Sequence, residues 1–159
     1  MEEETKYTLE EAHLKFARMT NGLVWQLLEK PDRTPEDNVI LLLTANASLF
    51  HWLHAGTGVH AQRGSWLLAH IYAVLGEGAQ SLKYALRCME LKERHRSEIA
   101  DFDVAYAYEA MARAHALLGH LAEARPLYLA AKEAGEKIAN AGDKEIFMGD
   151  FNSGTWFGI

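Results

Sequence analysis

Apolar residues along most of the chain recur three and four positions apart, which is the spacing of one face of an α-helix. No stretch alternates apolar and polar residues as a strand would, so we predict an all-helical fold. Capping residues, glycines and prolines divide the pattern into six helices, over about residues 8–30, 34–55, 60–75, 79–96, 97–119 and 121–140. Thr8 with Glu11 predicts a capping box for the first helix, and Thr34 caps the second.

The second predicted helix lies in an uncharged stretch, because no charged residue occurs between Asn38 and Gln62. Polar residues interrupt this stretch, and Gly56 and Gly58 end it, so the pattern does not favour a membrane span. We interpret it as a buried central helix and expect no association with a membrane.

An internal repeat relates two stretches that begin at Trp66 and Glu109, with a constant offset of 43 residues. The matched pairs are Ala69 with Ala112, Tyr72 with His115, Leu75 with Leu118, Gly76 with Gly119, Ser81 with Ala124, Ala85 with Tyr128 and Cys88 with Ala131. Small residues at such places let two helices approach closely, and the shared glycine turns one helix into the next.

These positions resemble the tetratricopeptide repeats, helix-turn-helix units with a small residue, a tyrosine, a turn glycine, and then alanine, an aromatic residue and alanine. The matching residues are Ala69, Tyr72 and Gly76 in the first copy, and Ala112, Gly119, Ala124, Tyr128 and Ala131 in the second. The departures are Ser81, Ala85 and His115, and Pro126 lies within the second helix of the second copy. The resemblance covers about residues 62–139, and several phrases are similar to those of small uncharacterised bacterial proteins with such repeats.

The resemblance implies antiparallel helix pairs stacked as a short superhelix, with about six helices and a C-terminal region. Repeats of this kind need about three stacked units to bury their apolar faces. We therefore predict one domain over residues 1–159, with a degenerate first pair at 8–56, repeats at 60–96 and 97–141, and the C-terminal region at 142–159.

The same resemblance implies a concave wall made by the first helix of each pair, where the family binds peptides. Carried over by position, the groove residues are Arg63, Trp66, His70, Tyr106, Glu109 and Arg113. Arginine can bind a carboxylate with two parallel hydrogen bonds, and tryptophan and tyrosine give rigid contact surfaces. The alternative is that the aromatic residues pack between helices while the charged ones face solvent.

Composition narrows the classes of partner. The chain has 159 residues with 22 acidic and 16 basic side chains, for a net charge of −6, which argues against nucleic acid. Its single cysteine, Cys88, cannot form an internal disulfide, and the first residues lack the features of a secretory signal. We expect a cytoplasmic protein.

Three histidines between residues 51 and 60 raise a metal site as an alternative. His51 and His54 are three apart on one helix face, His60 follows the glycine turn, and the further candidate ligands are the acids Asp101, Asp103 and Glu109. The opposing interpretation is structural, since a neutral histidine at a helix end can bond to a carbonyl.

The C-terminal region, residues 142–159, is rich in aromatic residues and broken by glycines. It is too apolar for a free end, and we interpret its glycines as unfavourable to a helix. Our hypothesis is that it docks, either in the chain's own groove or in that of a second copy, which would make a homodimer. A seventh helical turn that covers the end of the stack is the alternative.

The sequence therefore predicts a protein- or peptide-binding repeat module with no catalytic activity and no cofactor. A phosphate-binding glycine loop, a nucleophile elbow and a zinc-protease motif are all missing from the sequence. The alternatives are a small metal-dependent enzyme or small-molecule binder that uses His51 and His54, and a self-assembling structural protein.

Overall fold

The computed structural model describes residues 4–159, and every regular element in that range is an α-helix. The helices are α1 (Leu9–Glu29), α2 (Pro35–Ala55), α3 (Gly58–Val74), α4 (Gly78–Arg94), α5 (Asp101–Leu117), α6 (Leu121–Glu136) and α7 (Ala141–Phe151). The predicted all-helical fold, in which neighbouring helices pack together, is confirmed. None of the helices in this range is long and apolar enough to cross a membrane.

The chain divides into two compact units, and the first ends at Gly64. In this unit, α1 and α2 form a hairpin. The capping box predicted for Thr8 and Glu11 is present, and Thr34 caps α2 as predicted, because the side chains of Thr8 and Thr34 accept the N–H groups of Glu11 and Asp37. Buried small residues let the two helices approach, and the hydroxyl of Ser48 on α2 donates to the carbonyl of Ala17 on α1 at 3.2 Å.

The second unit, residues 65–159, contains the rest of α3 and the helices α4 to α7. Its first core cluster consists mostly of alanines, which are Ala69, Ala85, Ala110 and Ala114 with Met111. The hydroxyl of Ser81 on α4 donates to the carbonyl of Ala69 on α3 at 2.8 Å. Small side chains at these positions therefore allow close helix packing, as the repeat predicted.

The two repeat copies turn in the same way. Gly76 and Gly119 both have positive φ, at 78° and 77°, which glycine adopts without strain. The N–H group after each glycine donates five residues back, from Glu77 to Tyr72 at 2.8 Å and from His120 to His115 at 2.9 Å. This is the Schellman ending of a helix, and it occurs twice at the offset of the sequence repeat.

The C-terminal region differs from the sequence interpretation. The predicted continuation of α6 to Asn140 is wrong, since α6 ends at Glu136. Of the two interpretations of the following region, the helical one is observed, because α7 begins at Ala141. The side chain of Asn140 caps α7 by accepting the N–H group of Asp143 at 2.9 Å. Tertiary packing outweighs the glycines, because Phe147 and Phe151 of α7 are completely buried.

Candidate functional site

Five of the six predicted groove residues lie in the second unit and contact one another. Tyr106, Glu109 and Arg113 follow each other at three- and four-residue spacing, so they share one face of α5. Trp66 and His70 are four apart on α3, and their rings stack with centroids 5.1 Å apart. The sixth residue, Arg63, is exposed in the first unit, and its place in a groove stays a prediction.

The centre of this site is a buried ion pair. The guanidinium of Arg113 donates through Nε to Oε1 of Glu109, and the two residues are only 7% and 3% exposed. The indole Nε1–H of Trp66 donates to the other oxygen of Glu109 at 3.0 Å. These two hydrogen bonds satisfy both oxygens of the buried carboxylate. The bond from Trp66 also links α3 to α5.

Arg113 directs its remaining N–H groups at the backbone of the C-terminus. Nη1 donates to the carbonyl of Thr155 at 2.9 Å. Nη2 is shared among the carbonyls of Asp150, Phe151 and Ser153, at 3.0, 3.2 and 2.9 Å. Two of these carbonyls end α7, where the helix dipole is negative, so a cation is favourable there. One side chain thus binds four carbonyls of a single peptide segment.

The terminal segment, which we define as residues 152–159, folds over this guanidinium. The Trp156 ring lies 4.0 Å from Cζ of Arg113, in a cation–π contact. Its indole N–H donates to the carbonyl of Phe151 at 2.9 Å, and its ring meets Tyr128 of α6 edge-on at 4.7 Å. Gly154, with φ of 69°, makes the turn that brings Ser153 and Thr155 to the same arginine.

A second polar contact joins α5 to α7. The hydroxyl of Tyr106 donates to Oδ2 of Asp150 at 2.5 Å, and its ring meets Trp66 at 4.8 Å and Phe147 at 4.8 Å. Burial, followed by this bond to a carboxylate and by the charges of Asp150 and Glu109, raises the pKa of Tyr106 far above its ordinary value. The phenol therefore stays protonated and acts as a donor.

A cavity of about 310 Å³ lies beside the ion pair, between the end of α3 and the terminal segment. Its polar lining includes His70, Arg113 and Asp150, and its apolar lining includes Val74 and Phe157. Burial lowers the pKa of His70, and Arg113 adds to the effect while Glu109 and Asp150 oppose it. A neutral imidazole at this place can donate or accept a hydrogen bond.

The resemblance named the α5 residues but not the residues that they contact on α7 and in the terminal segment. Asp150 supplies a carboxylate and a carbonyl, and Trp156 covers the guanidinium. The signal available in the sequence was the aromatic C-terminal region. Its docking was proposed, with two places left open, and the structure has it on the chain's own α5.

The histidines of the first unit form a different cluster from the one considered. His13 on α1 joins His51 and His54 on α2: the Nδ1 atoms of His13 and His51 are 2.8 Å apart, and the rings of His13 and His54 stack at 4.5 Å. Partial burial, and then the neighbouring His54 and His51, lower the pKa of His13. In an antiparallel hairpin that turns near residue 32, residues 13 and 51 are equally far from the turn. This equal spacing is the sequence signal that would have placed His13 beside His51.

His60 lies apart from this cluster. Its ring stacks on Trp52 at 4.2 Å, and its Nδ1 accepts the N–H group of Thr57 at 3.0 Å. Asp101 and Asp103 accept backbone N–H groups, from Ala139 and Ala100. Within residues 4–159, no group of three or more histidine, cysteine or acidic side chains is arranged to hold a metal ion.

Comparisons with protein-family models, with curated proteins and with solved structures gave no match.

Proposed function

We propose that this chain is a peptide-binding module of tetratricopeptide-like repeats whose groove, on α3 and α5, is filled by its own terminal segment. The observation that carries the proposal is the donation of hydrogen bonds by Arg113 to four backbone carbonyls, two of which, those of Ser153 and Thr155, belong to the terminal segment. Backbone carbonyls are common to every peptide, so a site that binds them can accept a segment from another protein.

The resemblance to the repeat family supports the same function. It implies a peptide-binding face on the first helix of each pair, and two of the residues implied there, Tyr106 and Arg113, donate hydrogen bonds to the C-terminal region. The matching Schellman turns after Tyr72 and His115 add a structural likeness between the two copies.

The terminal segment has the character of a ligand that another peptide can replace. Residues 152–155 are exposed and not helical, and their contacts with α5 go mainly through one guanidinium. Because the segment is tethered, its effective concentration is high, and an outside peptide binds only by competing with it. The proposed module is therefore autoinhibited, and a partner must offer carbonyls and an aromatic ring in place of Trp156.

The cellular setting proposed from the sequence is the cytoplasm. Cys88 is buried and forms no disulfide in the described part of the chain, which suits a reducing compartment.

A peptide-display selection tests the proposal. A chain that ends at Asn152 keeps all seven helices and lacks the segment from Ser153 onwards, so we expect it to enrich peptides that contain aromatic residues. The intact chain should retain these peptides at least about tenfold more weakly, because its own segment competes.

The control is Arg113→Lys in the shortened chain, since lysine keeps the charge but loses the planar fork of donors. Circular dichroism establishes that each chain is folded. If peptides bind equally well with arginine or lysine at position 113, the guanidinium of Arg113 is not what recognises them, and the proposal fails.

A further inference from the structure

The outer face of the α1–α2 hairpin is apolar and exposed. Nine large apolar residues, each 40% to 77% exposed, lie on these two helices: Leu9, Phe16, Met19, Leu23, Val39, Ile40, Leu43, Phe50 and Leu53. On α1, Leu9, Phe16 and Leu23 are seven apart and so share a face, as do Leu43 and Phe50 on α2. A soluble helix normally presents polar residues on its exposed side.

The exposed apolar residues of the two helices come together around the ring of His51, which lies 5.4 Å from that of Phe50. The rings of Phe16 and His51 lie 5.5 Å apart, and those of His13 and Phe50 lie 6.0 Å apart, so α1 and α2 meet along this side. The buried residues of α2, including Leu41 and Ala45, lie on its opposite side. Thus α2 has apolar residues both on its buried side and on its exposed side.

The polar side chains within this surface already bond to their own helices. The hydroxyl of Thr20 donates to the carbonyl of Phe16 at 2.6 Å, and the amide of Asn46 donates to the carbonyl of Leu42 at 2.8 Å. Moreover, no charged residue follows Asn38 on α2. Covering the α2 part of this surface therefore buries no carboxylate, lysine or arginine, and it leaves neither of these two donors unsatisfied.

We propose that this face of the hairpin binds the same face of a second copy of the chain. The nine side chains expose about 900 Å² in total at roughly 180 Å² per fully exposed residue, and a standard interface takes about 800 Å² from each partner. A two-fold axis pairs one patch with itself, and two helical hairpins joined in this way make a four-helix arrangement.

The distribution of charge bears on where two copies can meet. Copies with a net charge of −6 each repel one another, which opposes self-association, and this repulsion is weakest at a face where α2 carries no charge. The patch carries no charged residue on α2 that would select a partner with a complementary charge. An apolar surface of the same shape and size is supplied by the second copy itself.

Sedimentation equilibrium of the full-length chain tests this proposal. We expect twice the mass of the chain at micromolar concentration. Leu43→Glu should raise the dimer dissociation constant at least about a hundredfold, because the two-fold axis buries the new charge twice. Val39→Glu is a second variant that tests the same face.

The matched control is Leu129→Glu on α6 of the other unit, since Leu129 is 63% exposed and Leu43 is 66% exposed. The control should leave the dimer intact. A monomeric wild-type chain would overturn the proposal, and so would a dimer that persists in folded Leu43→Glu and Val39→Glu variants or that dissociates equally in the Leu129→Glu variant.

Discussion

Replacing Arg113 by methionine should lower the free energy of unfolding by about 3–5 kcal/mol, which is the usual cost of removing one partner of a buried ion pair. Glu109 would keep a buried charge, to which the Trp66 indole still donates a hydrogen bond. The four carbonyls of α7 and the terminal segment would also lose their common donor. Urea unfolding followed by circular dichroism measures the loss.

Two controls separate the ion pair from a general effect of substitution. Arg125→Met, at an exposed position on α6, should change the stability by less than about 0.5 kcal/mol. Adding Glu109→Gln to Arg113→Met should recover part of the loss, because the unpaired charge is then removed. A loss below about 1 kcal/mol for Arg113→Met would contradict the central place that we give to this residue.

Replacing Phe147 by alanine should destabilise the chain by about 3–5 kcal/mol, as expected when a buried aromatic ring leaves a cavity. The ring is completely buried and meets Tyr106 at 4.8 Å and Phe151 at 5.8 Å. It also fills the space beside Gly135 on α6, where a Cβ atom would collide with it. Thermal and urea unfolding measure the effect.

The neighbouring Ile146 is the matched control for this substitution. It is on the same helix and is 64% exposed, so Ile146→Ala should cost less than about 0.5 kcal/mol. Equal effects of the two substitutions would mean that α7 is not anchored through Phe147. A large difference would support the packing of α7 on α5 and α6, on which the terminal segment depends.

Local signals in the sequence were sufficient for most of the helices. Thr8 and Thr34 are cap residues with an acidic residue three positions later, and both helices begin where these pairs predict. Gly76 and Gly119 ended their helices as expected, because positive φ is easy for glycine. These signals depend on neighbours in the sequence and need no knowledge of tertiary contacts.

The beginning of α7 could not be predicted in the same way. Gly142 and Gly149 disfavour a helix, and the opposing contribution comes from burying Phe147 against Gly135 on another helix. The site shows the same limit. The α5 residues were implied by the resemblance to the repeat family, but the link between Tyr106 and Asp150 joins residues 44 positions apart. Such pairs depend on the tertiary packing of helices that are far apart in the sequence.

The central claim is that the groove binds a peptide segment through Arg113, and the affinity of the terminal segment in trans tests it most directly. Fluorescence anisotropy of a labelled peptide of residues 153–159 would be measured with the intact chain, with the chain that ends at Asn152, and with that shortened chain carrying Arg113→Lys. We predict binding to the shortened chain, and binding at least about tenfold weaker both to the intact chain, where the tethered segment competes, and to the lysine variant. Equal binding to all three, or no binding to a folded shortened chain, would contradict the account.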